Sequence, residues 1–336
     1  MNTVGRATSI ARMSERALQL LTVVAPMLDE EDTARPFHAR VAGALDGLPW
    51  ELVVVDDGST DATPQVLDEL AAEDSRVRVI HLSRRFGHQT ALTAGPDHAG
   101  GDVVVMLDGD LQDPPEVILT MLDRWREGAD VVYAARTHRD GETPFKLATA
   151  RGFYRLLGRL SEVPLGSEAG DFRLLDRSAL DALLGMRERN RYLRGMTVWV
   201  GFTQTAVPYR REARQAGTTK FPLRRMARFA LDAIASFSHA PLQLATLIGF
   251  LFAFLAFLAI PVAIALKVAG AFVPGATTII IAVLLLGGIQ LMAIGLIGEY
   301  VRRIYDEVKG RPLYVVRARV NVATPSADEP DRVALP

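Results

Sequence analysis

Residues 103–116 read VVVMLDGDLQDPPE. Five apolar residues run straight into Asp108, Asp110 and Asp113, with Gln112 among them, and then into a double proline. An unbroken apolar run suits a strand buried on both faces, as in a parallel sheet covered by helices. Several acids at the end of a buried strand repel one another unless a cation or a donor network balances them. Working outward, similar short runs recur as LLTVVAP, ELVVVDD, VRVIHLS and DVVYAAR. Amphipathic stretches near 34–46, 62–74, 88–98 and 115–127 separate them. Strands alternating with helices predict an α/β fold, a mostly parallel sheet with helices on both faces. Ligands of such sheets bind beyond the carboxyl ends of the strands. The polar clusters PMLDEE, DDGSTD and DGDLQD each follow a strand, so all three are expected on one rim.

The 336 residues carry a formal net charge of -1, which gives no global field for nucleic acid. The absence of cysteine excludes disulfides, zinc thiolates and cysteine nucleophiles. No GxGxxG follows the first strand, and no Walker lysine motif is present. Capping of the next helix by Ser59, Thr60 or Asp61 accounts for part of DDGSTD, but not for Asp56 and Asp57 as well. Carboxylates with an amide oxygen are hard ligands that suit Mg²⁺ or Mn²⁺, ions that complete their shell with substrate phosphates. A metal on a diphosphate neutralises a leaving group, which is what sugar transfer from a nucleotide sugar needs.

With APMLDEE, VVVDDGSTDAT, LSRRFGHQTALTAG, DGDLQDPPE, GDFRLLDR, RYLRGMTVWVGF, REARQAGTTKF and SFSHAPL in this order, the chain resembles family 2 glycosyltransferases with the GT-A fold. The branch it resembles is the polyprenyl-phosphate type, over roughly residues 20–312. The resemblance implies that Pro26 and Glu30 lie along the nucleotide, and that Asp57 bonds the base with Asp56 beside it. It implies Asp108 near the ribose and metal, Asp110 and Gln112 as metal ligands, and close approach of the nucleotide at the Gly109 backbone. Arg136 and Arg151 match arginines that contact the diphosphate or the acceptor phosphate. Arg214 and Lys220 match a basic loop that closes over the phosphates. Asp171 matches a base or acceptor-side residue; pairing with Arg173 or Arg194 is the plainer alternative. His88 reads as structural, and Trp199 and Phe202 as core or sugar-platform residues. Leu28 and Asp29 stand where the family usually has Tyr-Asn, Arg85 replaces a common Asn, and Phe221 a common Tyr. The implied reaction is inverting transfer of a hexose, UDP-glucose favoured, to undecaprenyl phosphate, giving a β-linked lipid phosphosugar for the cell envelope. A homo-oligomer, a tetramer, comes with the resemblance. A non-catalytic nucleotide-binding scaffold and a processive polysaccharide synthase are the alternatives; the synthase lacks its Gln-x-x-Arg-Trp motif here.

Between Ala233 and Leu266 there is no Asp, Glu, Lys or Arg, and after Lys267 the next charge is Glu299. Two membrane spans, 241–266 and 276–298, are therefore expected as a helical hairpin. Arginines and lysines flank the outer ends, while the loop carries only Lys267, which predicts both termini and the catalytic domain on the cytoplasmic side of the plasma (inner) membrane. LQLLTVVAP is too short and too soon followed by acids for a signal peptide. Seven basic residues and one acid, Glu212, lie between Tyr209 and Arg228, Arg211 among them. Lipid or acceptor phosphate is the expected partner of that stretch. The expected organisation is a lead over 1–17, a GT-A domain over 18–221, an interfacial helix over 222–240, spans within 241–300 and a cytoplasmic tail over 301–336. Removing everything after Ser238 is expected to spare nucleotide binding.

Overall fold

A computed structural model describes residues 16–136, 169–212, 240–269 and 275–322. The expected positions of Arg151, Arg214, Lys220 and the interfacial helix lie outside the described residues. Eight strands form one sheet: β1 (Leu21–Met27), β2 (Trp50–Asp56), β3 (Val77–Leu82), β4 (Val103–Met106), β5 (Val131–Arg136), β6 (Ala169–Asp176), β7 (Gln204–Tyr209) and β8 (Val316–Val320), in the order β7-β5-β6-β4-β1-β2-β3-β8. Strands β4, β1, β2 and β3 run parallel. Helices α1 (Ala34–Ala44), α2 (Thr63–Glu73), α3 (His88–Asp97) and α4 (Val117–Arg126) follow the first four strands in turn. The amphipathic stretches seen in the sequence are these helices. Every residue of β1, β2 and β4 is buried, as their unbroken apolar runs require. Phe37, Leu67, Ile118 and Phe172 are among the side chains that close the core.

The sheet is mixed rather than mostly parallel beyond β4. Strand β6 enters antiparallel between β4 and β5, so β5 pairs with β6 and β7 and never with β4. Helix α5 (Arg177–Gly185) leaves β6 with Asp176 capping its first turn through Ser178 N. Helix α6 (Leu193–Trp199) precedes β7. This is the GT-A arrangement, with the ends of β1, β2 and β4 on one rim.

The expected boundary at 221 leaves out part of this unit. The first compact unit resumes at Arg311, after the helical unit. Strand β8 pairs antiparallel with β3 at the sheet edge. Tyr314, 1% exposed, donates its hydroxyl to Asp97 at 2.9 Å. Residues 316–320, expected within a tail, are thus a structural strand.

The second unit holds two helices, α7 (Ala240–Val268) and α8 (Ala276–Val308), which pack on each other. Phe250, Phe254, Phe257, Leu291 and Met292 are exposed on them. Among the described residues, one segment, Leu285–Val308, is long and apolar enough to cross a membrane. Helix α8 does not stop at Gly298. Arg302 pairs with Glu299 and Asp306 at helical spacing, and the helix ends only before Gly310, which takes a left-handed φ of 57°.

Candidate active site

The rim begins with two interlocked loops. Asp29, after β1, accepts Thr60 N–H at 2.8 Å, and Glu31 accepts Ala62 N–H at 2.8 Å. In return Glu30 N donates to Thr63 Oγ1 at 2.8 Å, while the Glu30 carboxylate accepts from Thr33. Pro26 is buried in β1 opposite Val55. The loops after β1 and β2 are therefore one clasped body, and the departure at Asp29 is a loop-to-loop bond.

Asp56 and Asp57 face different partners. Asp57 accepts the backbone N–H of Phe86 at 2.7 Å and of Gly87 at 2.9 Å, which holds the FGHQ turn under the rim. Burial pushes its carboxyl upward, against those two amides. Asp56 accepts Ser59 N–H and meets His81 Nδ1 at 2.9 Å. His81 Nε2 lies 3.1 Å from Asp68, so a nearly buried histidine bridges two acids. Asp56 raises the His81 pKa, burial works against it, and Asp68 adds to the rise. A raised value means the folded chain holds this proton more tightly than the unfolded chain. That stabilisation is complete below about pH 6.5 and is lost as pH rises through the folded value. As pH rises above about 6.5, the Tm of the protein should fall by more than that of His81→Asn. Equal slopes in a thermal-unfolding series would sink this assignment.

The acid knot after β4 converges on one point. Arg211 Nη2 lies 3.6 Å from Asp108 Oδ2 and 3.8 Å from Asp110 Oδ2, and Arg211 Nε lies 3.2 Å from Asp113 Oδ1. Asp113 is 2% exposed and accepts the Tyr209 hydroxyl at 2.5 Å. Burial and the Asp113 charge push the Tyr209 phenol up to about 12. Arg136, expected at a phosphate, donates to Tyr209 oxygen at 3.2 Å and closes a chain from β5 through β7 to the knot. Asp113 is thereby an anchor of the strand ends. Leu111, buried between Asp110 and Gln112, has a left-handed φ of 60°, a strained conformation at the turn that carries the acids. At Gly109 a Cβ would stand 3.0 Å from Met27 Cε, so packing on β1 also asks for glycine there.

The residues fit a divalent cation. Asp108 Oδ1 is buried and accepts no hydrogen bond. Burial and neighbouring acids push the Asp108 carboxyl up to about 6, with His88 opposing. Two carboxylates that meet one positive nitrogen mark a place for positive charge. Among the described residues no three His, Cys, Asp or Glu side chains form a metal cage. Mg²⁺ and Mn²⁺ at phosphate sites use one or two carboxylates plus substrate oxygens, so Asp108, Asp110 and the Gln112 amide form a set of the right kind.

Asp171, on β6, is held from two sides. Arg194 grips it as a fork at 2.8 and 3.0 Å. His88 Nε2 lies 3.4 Å from its Oδ2 and 3.5 Å from Asp108 Oδ1, and Gln89 Nε2 reaches it at 3.5 Å. Burial works against the charge of Asp171, but His88 and Arg194 outweigh it and hold the carboxyl far below its ordinary range. The partner of Asp171 is Arg194 rather than a hydrogen bond from Arg173. Arg173 is buried and ties β6 to α6 through Gly170 O, Leu193 O and Thr197. Trp199 is 65% exposed and so is no core residue. Tyr209, Gln89 and His81 carry no local sequence signal, because the partner of each is brought near only by the fold.

The rim, its acid knot and the paired Asp171 sit on a sheet of GT-A architecture. The model of glycosyl transferase family 2 matches residues 22–184. The chain is 45% identical over 299 residues to the uncharacterized glycosyltransferase YkcC of Bacillus subtilis, covering 88% of this chain and 93% of that one. It is 39% identical over 300 residues to a prophage-derived bactoprenol glucosyl transferase of Shigella flexneri, covering 88% and 97%. The chain belongs to glycosyl transferase family 2. Glucosyl-3-phosphoglycerate synthase of Mycobacterium tuberculosis, crystallised with Mn²⁺ and UDP, overlays at 22% identity with a TM-score of 0.45, covering 69% of this chain and 82% of that one. A likeness that loose carries no chemistry across.

Proposed function

We propose that this protein transfers a hexose, glucose from UDP-glucose first, to undecaprenyl phosphate with inversion at the anomeric carbon. The observation that carries the reading is the convergence of Asp108 and Asp110 on one cationic point, with Asp171 and Arg194 linked to Asp108 through His88. The naming of the Shigella relative supports the lipid acceptor and the sugar. Pro26, Glu30, Asp56, Asp57 and Gly109 frame the nucleotide. Asp108, Asp110 and Gln112 would hold Mg²⁺ or Mn²⁺, which when bound neutralises charge developing on the diphosphate. Arg136, Arg151, Arg211, Arg214 and Lys220 would supply positive charge to the phosphates of donor and acceptor.

A lipid phosphate is already anionic near neutral pH, so positioning and charge neutralisation carry most of the rate. Asp171 needs no proton for this. Its fork with Arg194 makes it an anchor that aims a guanidinium towards the reacting phosphates, and in-line attack gives the β-linked product. The two helices cross the inner membrane as a hairpin, both termini and the catalytic unit stay cytoplasmic, and the protein assembles as a homo-oligomer.

Purified protein in detergent should release nucleoside diphosphate from one donor of a nucleotide-sugar panel, and only when undecaprenyl phosphate and Mn²⁺ or Mg²⁺ are both present. Lipid-independent release, or none across the panel from folded protein, would overturn the reading.

A further inference from the structure

Arg211 holds the acids without bonding them well. Its Nη2 contacts with Asp108 and Asp110, at 3.6 and 3.8 Å, are beyond hydrogen-bond reach. Its Nε, though 3.2 Å from Asp113, is buried with no hydrogen-bond partner. The next residue is fixed. Glu212 N donates to Gln112 O at 2.9 Å, and the Glu212 carboxylate receives Arg40 at 2.6 and 2.8 Å. Arg40 also grips Glu116 at 2.9 and 3.0 Å, at the start of α4. The backbone beside Arg211 is therefore pinned to the acid loop, while the guanidinium is held there by charge alone.

We infer that Arg211 is the resident counter-cation of the acid knot, competing with the divalent cation for Asp108 and Asp110 and giving up its place when that cation binds. The inference rests on the metal-site reading above. A guanidinium and a divalent ion on the same two carboxylates repel each other, so both cannot stay. Because Glu212 is pinned, only the side chain of Arg211 has to move. Once released, it stands at the root of the stretch running to Lys220 and adds a donor towards anionic phosphate. The cost of displacing it lowers affinity for bare metal and is recovered when a diphosphate arrives, which makes metal and nucleotide bind together. The same competition keeps the three acids balanced in the resting protein, where they would otherwise repel one another.

The test is Mn²⁺ titration of the full chain in detergent without nucleotide, followed by the EPR signal of free Mn²⁺. Arg211→Gln should bind Mn²⁺ roughly tenfold more tightly than the unaltered protein, since a partly exposed cation with three acidic partners is lost. Arg211→Lys, which keeps the charge, should bind as weakly as the unaltered protein. Arg211→Met repeats the charge removal with an apolar stem should the Gln variant fail to fold. Equal or weaker binding by both uncharged variants would overturn the competition while leaving the metal site intact. Absence of Mn²⁺ binding by every variant, with UDP as well as without, would overturn the metal-site reading together with this one.

Discussion

Asp110→Asn should lower sugar transfer by roughly a thousandfold while leaving the fold in place. The asparagine oxygen can still accept the Gln112 N–H that Asp110 Oδ1 accepts at 3.1 Å, so the strained turn at Leu111 keeps its local bond. The charge is what disappears. With one of the two converging carboxylates neutral, Asp108 alone faces the cation, and the attraction for Mn²⁺ falls steeply. The check is a pair of measurements, nucleoside diphosphate release and Mn²⁺ titration, with thermal unfolding to show that the protein is intact. Turnover close to that of the unaltered protein would remove Asp110 from the metal site and leave the acid knot as an anchor for Arg211 alone.

The second large effect is at the far end of the chain. A stop after Gly310 should destabilise the catalytic unit by several kcal/mol, and Tm should fall by roughly 10 °C or unfolding should lose its cooperativity. Such a chain loses β8, and with it the pairing along one side of β3 from Val79 to Leu82, while the pairing of β3 with β2 remains. It also loses the buried Tyr314 ring and the side chain of Asn321, which donates to Ala71 O and Val77 O. Strand β3 carries His81, whose bond to Asp56 supports the rim proposed for the nucleotide, so binding of UDP should weaken with the fold. A stop after Val322 is the control and should shift Tm by no more than about 1 °C. Loss of stability in the control as well, or none in the longer deletion, would show that β8 is not what holds this edge. The same argument reverses the expectation for a chain ending at Ser238, which also lacks β8 and should bind nucleotide poorly.

Much of the first half was legible because its signals are local. Apolar runs of strand length, helices of period 3.6 and acids at strand ends are all written within stretches of a few residues. They placed β1 to β4, the four helices that follow them in turn and the rim that gathers Glu30, Asp56, Asp57, Asp108 and Asp110. The family resemblance added residue roles along that rim. The charge-free stretches likewise announced two long apolar helices, because the absence of charge over more than a helix's crossing length is itself a sequence property.

Tertiary structure alone decided the rest. The antiparallel entry of β6 between β4 and β5 and the closing of the edge by β8 depend on hydrogen bonds between strands far apart in the chain, which no periodicity reports. The same holds for the site. Asp113 with Tyr209, Arg40 with Glu212, and Asp171 with Arg194 are pairs whose members choose each other by distance and burial, not by spacing. Arg211 shows the difference most clearly. Its sequence neighbourhood is a basic stretch that reads as phosphate-facing, and its position in the fold is among three acids, because the end of β7 delivers it there and opposite charges in a partly buried cleft attract strongly.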